Sequence, residues 1–227
     1  MTVSVTEPGA INADVLKERL RAQRDLLNEL HSTRLHRALS WLQAAQAQQD
    51  DDDLRFISGW IAFSACCSVD VGGQPLEDQH AVQRFVQQLV SFDQHNKIYH
   101  CLWHQYSGPV KALLKNPFVF APFWVSQRAG NDDWRKAFDE SSVAALNCLS
   151  RKKVPELLTI VLDRLFVLHN QVVRGGATYK SRVNREQVID GANLLQTLVP
   201  VFVDIMLEAQ HQDWGELAYP VVSSPAP

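Results

Sequence analysis

The chain has no CxxC pair, no glycine-rich phosphate loop, no G-x-S-x-G elbow, no zinc-ligand quartet and no cluster of convergent carboxylates. Those absences exclude most common nucleotide-dependent, serine-hydrolase and metal-dependent enzymes, because each needs its groups at fixed spacing. Nor is there a long apolar run. Phe56 to Cys67 and Val154 to Phe166 are interrupted by polar side chains and fall short of the about 20 residues that a bilayer requires, so no membrane span is expected. MTVSVTEPGAINAD at the N-terminus lacks both the basic leader and the apolar core of a signal peptide, which makes the cytoplasm the expected location. Cys66, Cys67, Cys101 and Cys148 mostly sit inside apolar segments and read as reduced core residues. Convincing strand alternation is absent throughout, so the fold class is all-α.

What is present supports one sizeable domain: 227 residues, of which 46% are apolar. Residues 1–11 read as a disordered tail, 12–222 as a single helical domain and 223–227 as a C-terminal tail. The net charge of −3 is unevenly spread. Residues 151–185 hold eight basic and two acidic side chains, against 14 basic and 23 acidic in the rest of the chain. A basic patch on an acidic body suits a phosphate-containing partner docking at one place, and it equally suits a solvated surface.

Along the chain, Asn12 or Asp14 can cap a helix in which Leu16, Leu20, Leu27, Leu30, Ala38, Leu42 and Ala45 recur at helical spacing. The pattern predicts one long helix, or two with a joint near Ser32. Its polar face carries Arg19, Arg21, Arg24, Arg34 and Arg37, and Arg24 with His31 fits a loose Arg-x6-His spacing. Asp50 to Asp53 predicts a helix cap rather than a metal site, since four adjacent side chains do not converge. LRFISGWIAFSACCS, apolar nearly all round, predicts a buried helix. A loop is expected over DVGGQPLED and an amphipathic helix over Ala81, Phe85, Leu89 and Phe92. His100 and His104 share a helical face at a metal-compatible spacing, but there is no HExxH glutamate and no clear third ligand. PVKALLKNPFVFAPFWVSQ predicts a short helix followed by an extended aromatic segment. A helix over 132–149 presents Trp134, Phe138 and Leu146.

Val154, Leu158, Val161, Leu165, Leu168 and Val172 define the stripe of a helix of about twenty residues. It ends at Gly175 and Gly176, and a basic loop follows. Asn184 opens a last helix, which Pro200 should bend. His169, Asn170 and Arg174 cluster near the end of the long helix. Imidazole can exchange a proton near neutral pH, guanidinium can hold a phosphate, and the amide can orient either. A general base with an anion clamp is a minimal set for metal-independent RNA cleavage by the ribose 2′-hydroxyl. The same residues also read as a polar helix terminus. At about 100° per residue, His169 and Arg174 point roughly 140° apart on an ideal helix. To act on one phosphate they require either unwinding before Gly175 or a second copy of the chain across a twofold interface.

VLDRLFVLHNQVVRGGATYKSRVNREQVIDGANLLQTLVPVFVDIM resembles the C-terminal half of HEPN domains, specifically the Apea-like group. RFISGWIAFSACC, FVFAPFW and DWGELAYPVV resemble that group's segments too, so the likeness spans most of residues 34–222. It implies a HEPN-like helical bundle that forms a homodimer, with a composite site at the interface and no cofactor or metal. It also implies RNA as substrate, a prokaryotic defence or toxin–antitoxin setting, and an antitoxin or defence-complex protein as a further partner. The family signature is Arg-Asn, three variable residues, then His. Here the same positions hold His169, Asn170, Gln171, Val172, Val173 and Arg174, with Arg and His exchanged. Arg164, with four residues between it and His169, satisfies a looser Arg-x4-His spacing. One reading is a HEPN-type ribonuclease with His169 as general acid/base, Arg174 as phosphate clamp and Asn170 as orienter, and with Arg164, Lys180, Arg182 and Arg185 contacting RNA. The other reading is a catalytically silent dimer that binds RNA or protein.

Overall fold

The computed structural model describes residues 11–70, 79–105, 107–182 and 184–222. Among them the fold is all-α, with ten α-helices and a single isolated bridge, Val69 to Leu217, in place of any sheet. The helices are α1 (Ala13–Ala22), α2 (Glu29–Ala47), α3 (Asp52–Cys67), α4 (Gln79–Phe92) and α5 (Lys97–His100), the last continued by a π turn over Cys101–Gln105. They continue as α6 (Ser107–Leu114), α7 (Ala121–Ala129), α8 (Trp134–Ser150), α9 (Val154–Val173) and α10 (Arg185–Glu208).

Side-chain caps set several of these boundaries. The Asn12 side chain accepts from the Val15 N–H, and Asp51 accepts from the Leu54 N–H at 3.0 Å, so the acidic run does cap α3. The joint after α1 falls earlier than Ser32. Arg24–Leu26 form a 3₁₀ turn, Leu27 is extended, and Asn28 starts α2 by accepting from the His31 N–H at 2.7 Å. The segment after Pro117 is likewise not extended. Residues Pro117–Val119 form a 3₁₀ turn and α7 follows, with a proline in its first turn, where the missing N–H costs nothing. In α8 the buried positions are Ala145 and Leu149, while Trp134, Phe138 and Leu146 are half-buried. The loop expected over 70–78 lies, beyond Asp70, outside the described residues.

The core is built on α10, whose residues from Leu198 to Leu207 are all buried. It alone among the described helices has the length and apolarity to cross a membrane, and it is enclosed by its neighbours. Two glycines let α3 approach it closely. A Cβ on Gly191 would lie 2.9 Å from the Phe56 ring, and one on Gly59 would lie 3.2 Å from Leu195. Asp204, buried on α10, is paired with Arg19 and with Lys97 at 2.6 Å, joining α1, α5 and α10. Burial pushes its carboxyl up, but Lys97 and Arg19 hold it below the ordinary carboxylate range.

Arg34 is not on a polar face. It is fully buried and donates to the carbonyls of Cys66 and Ser68 at the end of α3, and to those of Gly215 and Glu216 in the C-terminal segment. Around it Trp214 packs on His31, Phe85 and Phe92, and Arg37 donates to the Tyr219 carbonyl at 2.6 Å. His31 is buried as well, so its spacing from Arg24 reflects core packing rather than a solvated face.

Candidate functional site

Helix α9 stays regular to its last turn because its end is closed by a Schellman motif. Gly176 N–H donates to the Gln171 carbonyl at 2.7 Å and Gly175 N–H to that of Val172 at 3.2 Å. Gly175 takes φ +70°, and a Cβ on Gly176 would lie 2.9 Å from the Gln171 oxygen, so both glycines are required. No unwinding brings His169 and Arg174 together, and the two side chains belong to different surroundings.

The His169 ring stacks on Trp60 of α3, with centroids 4.9 Å apart and planes 21° from parallel, and lies near Phe166. Its Nδ1 is buried without a hydrogen-bond partner. Burial lowers its pKa and the charge of Arg174 adds to this, while the Asn170 side chain works the other way. The imidazole is therefore neutral at pH 7.

Arg174 and Asn170 line a groove of about 850 Å³ bounded by α7, α8, α9 and the Gly176 turn. Phe118, Phe120 and Trp124 form its aromatic wall, and Arg128 joins Arg174 among its cations. The wall is held in place through the Phe118 carbonyl, which accepts from Trp124 Nε1 at 2.8 Å and from the Gln171 amide. Phe118 is itself an exposed residue, its ring packed on Phe123 and Trp124.

Arg164 also lines the groove, but as a buried residue. Its guanidinium lies 4.3 Å from the Phe120 ring centroid and 5.6 Å from that of Phe138, and one nitrogen donates to Ser141 Oγ at 3.0 Å. Nε is buried without a partner, and among the described residues Arg164 makes no ion pair. Burial pulls its pKa down to about 10, against the opposing charge of Asp163.

The remaining predicted RNA contacts lie on the loop after α9 and, for Arg185, at the first residue of α10, next to the acidic start of α3. Lys180 reaches Asp51 at 3.4 Å, its N–H donates to Asp53, and Arg185 pairs with Asp53 at 2.7 Å. The Tyr179 hydroxyl donates to Asp51. Burial raises the Asp51 carboxyl, but Tyr179, the Leu54 N–H and Lys180 together hold it below its usual range. The acidic run thus tethers the basic loop and offsets part of its charge. Lys180, Arg182 and Arg185 line a second hollow that shares Phe118 and Asn184 with the groove. Arg182 is exposed there.

The structure therefore brings Asn170, Arg174 and Arg164 to one groove, puts Lys180, Arg182 and Arg185 beside it, and leaves His169 on the Trp60 side of the helix. Sequence reasoning missed Arg128, Ser141 and the aromatic wall, although the density of aromatics in FVFAPFW was a signal. His100 and His104 stack 4.9 Å apart on an exposed surface, and no group of three or more metal-ligating side chains converges among the described residues. Comparison with family models, curated proteins and solved structures finds no match for this chain.

Proposed function

We propose that this chain is a HEPN-type module that binds single-stranded RNA and, as a single copy, does not cleave it. The observation that carries this reading is the separation of His169 from Arg174 on an unbroken α9. Guanidinium groups line the groove while the only imidazole of the motif is packed under Trp60. Phosphates would sit on Arg174 and Arg128, with Lys180, Arg182 and Arg185 extending the track and Phe118 offering a stacking face. The resemblance to Apea-like HEPN domains supplies the homodimer, the cytoplasmic defence or toxin–antitoxin setting and a protein partner in it. The test is binding of a short single-stranded RNA with chelator present. Saturable binding that weakens with salt, and weakens about tenfold in Arg174→Ala but not in His169→Ala, is expected. A folded wild type without salt-dependent RNA binding sinks the reading.

A ribonuclease is the second reading, and the state of His169 favours it: the imidazole is neutral, with an unpartnered Nδ1. Across a twofold interface His169 would act as general acid/base, Arg174 of the other copy as phosphate clamp and Asn170 as orienter. Cleavage in chelator that is lost in both His169→Ala and Arg174→Ala, and partly recovered on mixing the two variants, would establish it. RNA left intact by the wild type, or by mixed variants when the wild type cuts, rules out the shared site. Restoring the family order with His169→Arg plus Arg174→His should raise cleavage if the exchange has disabled it.

A further inference from the structure

We propose that the hollow between the end of α1, the start of α2 and the C-terminal segment docks a short acidic peptide of a partner protein, one that carries an aliphatic side chain among its carboxylates. The inference is independent of the RNA reading, which concerns the groove beside α9.

The hollow follows from how the first two helices are joined. The 3₁₀ turn at Arg24–Leu26 and the extended Leu27 reverse the chain. α1 then lies along α2, with the Ala13 N–H donating to Gln46 Oε1 at 3.3 Å and Lys17 Nζ to Gln43 Oε1 at 2.8 Å. Lys17 and Arg21, one turn apart on α1, and Arg24 in the turn thereby line one space of about 510 Å³ together with His36 and Arg37 of α2. No carboxylate is among its described lining residues. Four fixed positive charges in one concavity repel one another and raise the local concentration of anions. The Arg21 and Arg24 side chains make no hydrogen bond or ion pair among the described residues, and both residues are exposed. Their planar forks match carboxylates two bonds at a time.

The rest of the lining selects what carries those carboxylates. Arg37 donates to the Tyr219 carbonyl, which holds the C-terminal segment beside α2, and Val221 of that segment edges the hollow while 66% exposed. With the buried Leu20 it supplies aliphatic surface for an apolar side chain. Ser32 and Thr33 add hydroxyls able to bond a peptide backbone. No Phe, Tyr or Trp is among the described lining residues, whereas single-stranded RNA takes aromatic stacking faces such as those beside α9. The exposed Glu18, Asp25 and Glu29 of the same stretch do not line the hollow. Positive charge is thus confined to it, which suits a short acidic segment better than a long phosphodiester track.

Fluorescence polarisation of the full chain tests this with a labelled decapeptide of four glutamates and two leucines in a glycine–serine background. Its controls are the same peptide with glutamine for glutamate, the same peptide with serine for leucine, and a short oligouridylate. The glutamate–leucine peptide should bind at least about tenfold more tightly than the glutamine form and at least about threefold more tightly than the serine form, and added salt should weaken it. Arg21→Glu combined with Arg24→Glu should lower that affinity at least about tenfold with the helical circular dichroism unchanged, and Arg174→Ala should leave it as it is. No saturable binding, equal binding of the glutamine peptide, or unchanged affinity in the folded double variant overturns the proposal. Oligouridylate that displaces the peptide and loses its own binding in the double variant assigns the hollow to RNA and overturns it as well. Peptide binding with no RNA binding anywhere keeps this surface and removes the RNA reading.

Discussion

Arg34 and Arg164 are both buried guanidiniums without a carboxylate partner among the described residues, and their surroundings differ. Arg34 donates to four carbonyl oxygens drawn from two distant segments, so its fork is occupied by backbone. Arg164 has one hydroxyl contact and two aromatic faces, and it borders a groove. Burial lowers the pKa of both, so the direction of the shift does not distinguish them. The terminal nitrogens do: those of Arg34 are met by four carbonyls of the fold, those of Arg164 by one hydroxyl beside a cavity, while Nε is without a partner in both.

Substituting the two residues sharpens or breaks that contrast. Arg34→Met should have the largest effect, a loss of about 3–5 kcal/mol in urea unfolding, because it strands carbonyl oxygens in the core. Next comes its neighbour His31, whose pKa falls from 6.5 to about 4 through burial, aided by Arg34 and opposed by the Gln210 carbonyl. A depressed folded-state pKa means that stability is full above about pH 6.5 and is lost as pH drops toward 4, by up to on the order of 3 kcal/mol. Unfolding followed over that window should show the loss in the wild type and not in His31→Phe. Arg164→Met should change stability by less than about 1 kcal/mol in either direction, since no ion pair among the described residues is broken. If it destabilises the fold as much as Arg34→Met does, the contrast fails. Phe118→Ala should have the smallest effect on stability, within about 0.5 kcal/mol, with at least about a fivefold loss in single-stranded RNA binding by calorimetry.

Much of the helical order was legible because it rests on local signals. The period of α9, its Gly-Gly stop and the Asp51 cap all depend on residues within one or two turns. Arg34 was not legible in this way. Its spacing matches a polar face, and only carbonyls 32 to 182 positions away explain its burial. The α7 helix was hidden because three prolines and four aromatics in 109–127 lower local helix propensity, while proline in a first turn carries no such penalty. At the candidate site, the angular separation of His169 and Arg174 was foreseeable from helix geometry. The pairing of Lys180 and Arg185 with Asp51 and Asp53 was not, because the partners lie more than 125 residues apart.

The Arg34 clasp also orders events in time. Its donors lie in α2, while two of its acceptors, at Gly215 and Glu216, are about 180 positions later. During synthesis α2 and α3 can pair early, yet the guanidinium between them has only half its acceptors until residue 216 has left the ribosome. Until then water must serve the remaining donors, and completion of the C-terminal segment is what replaces it with carbonyls.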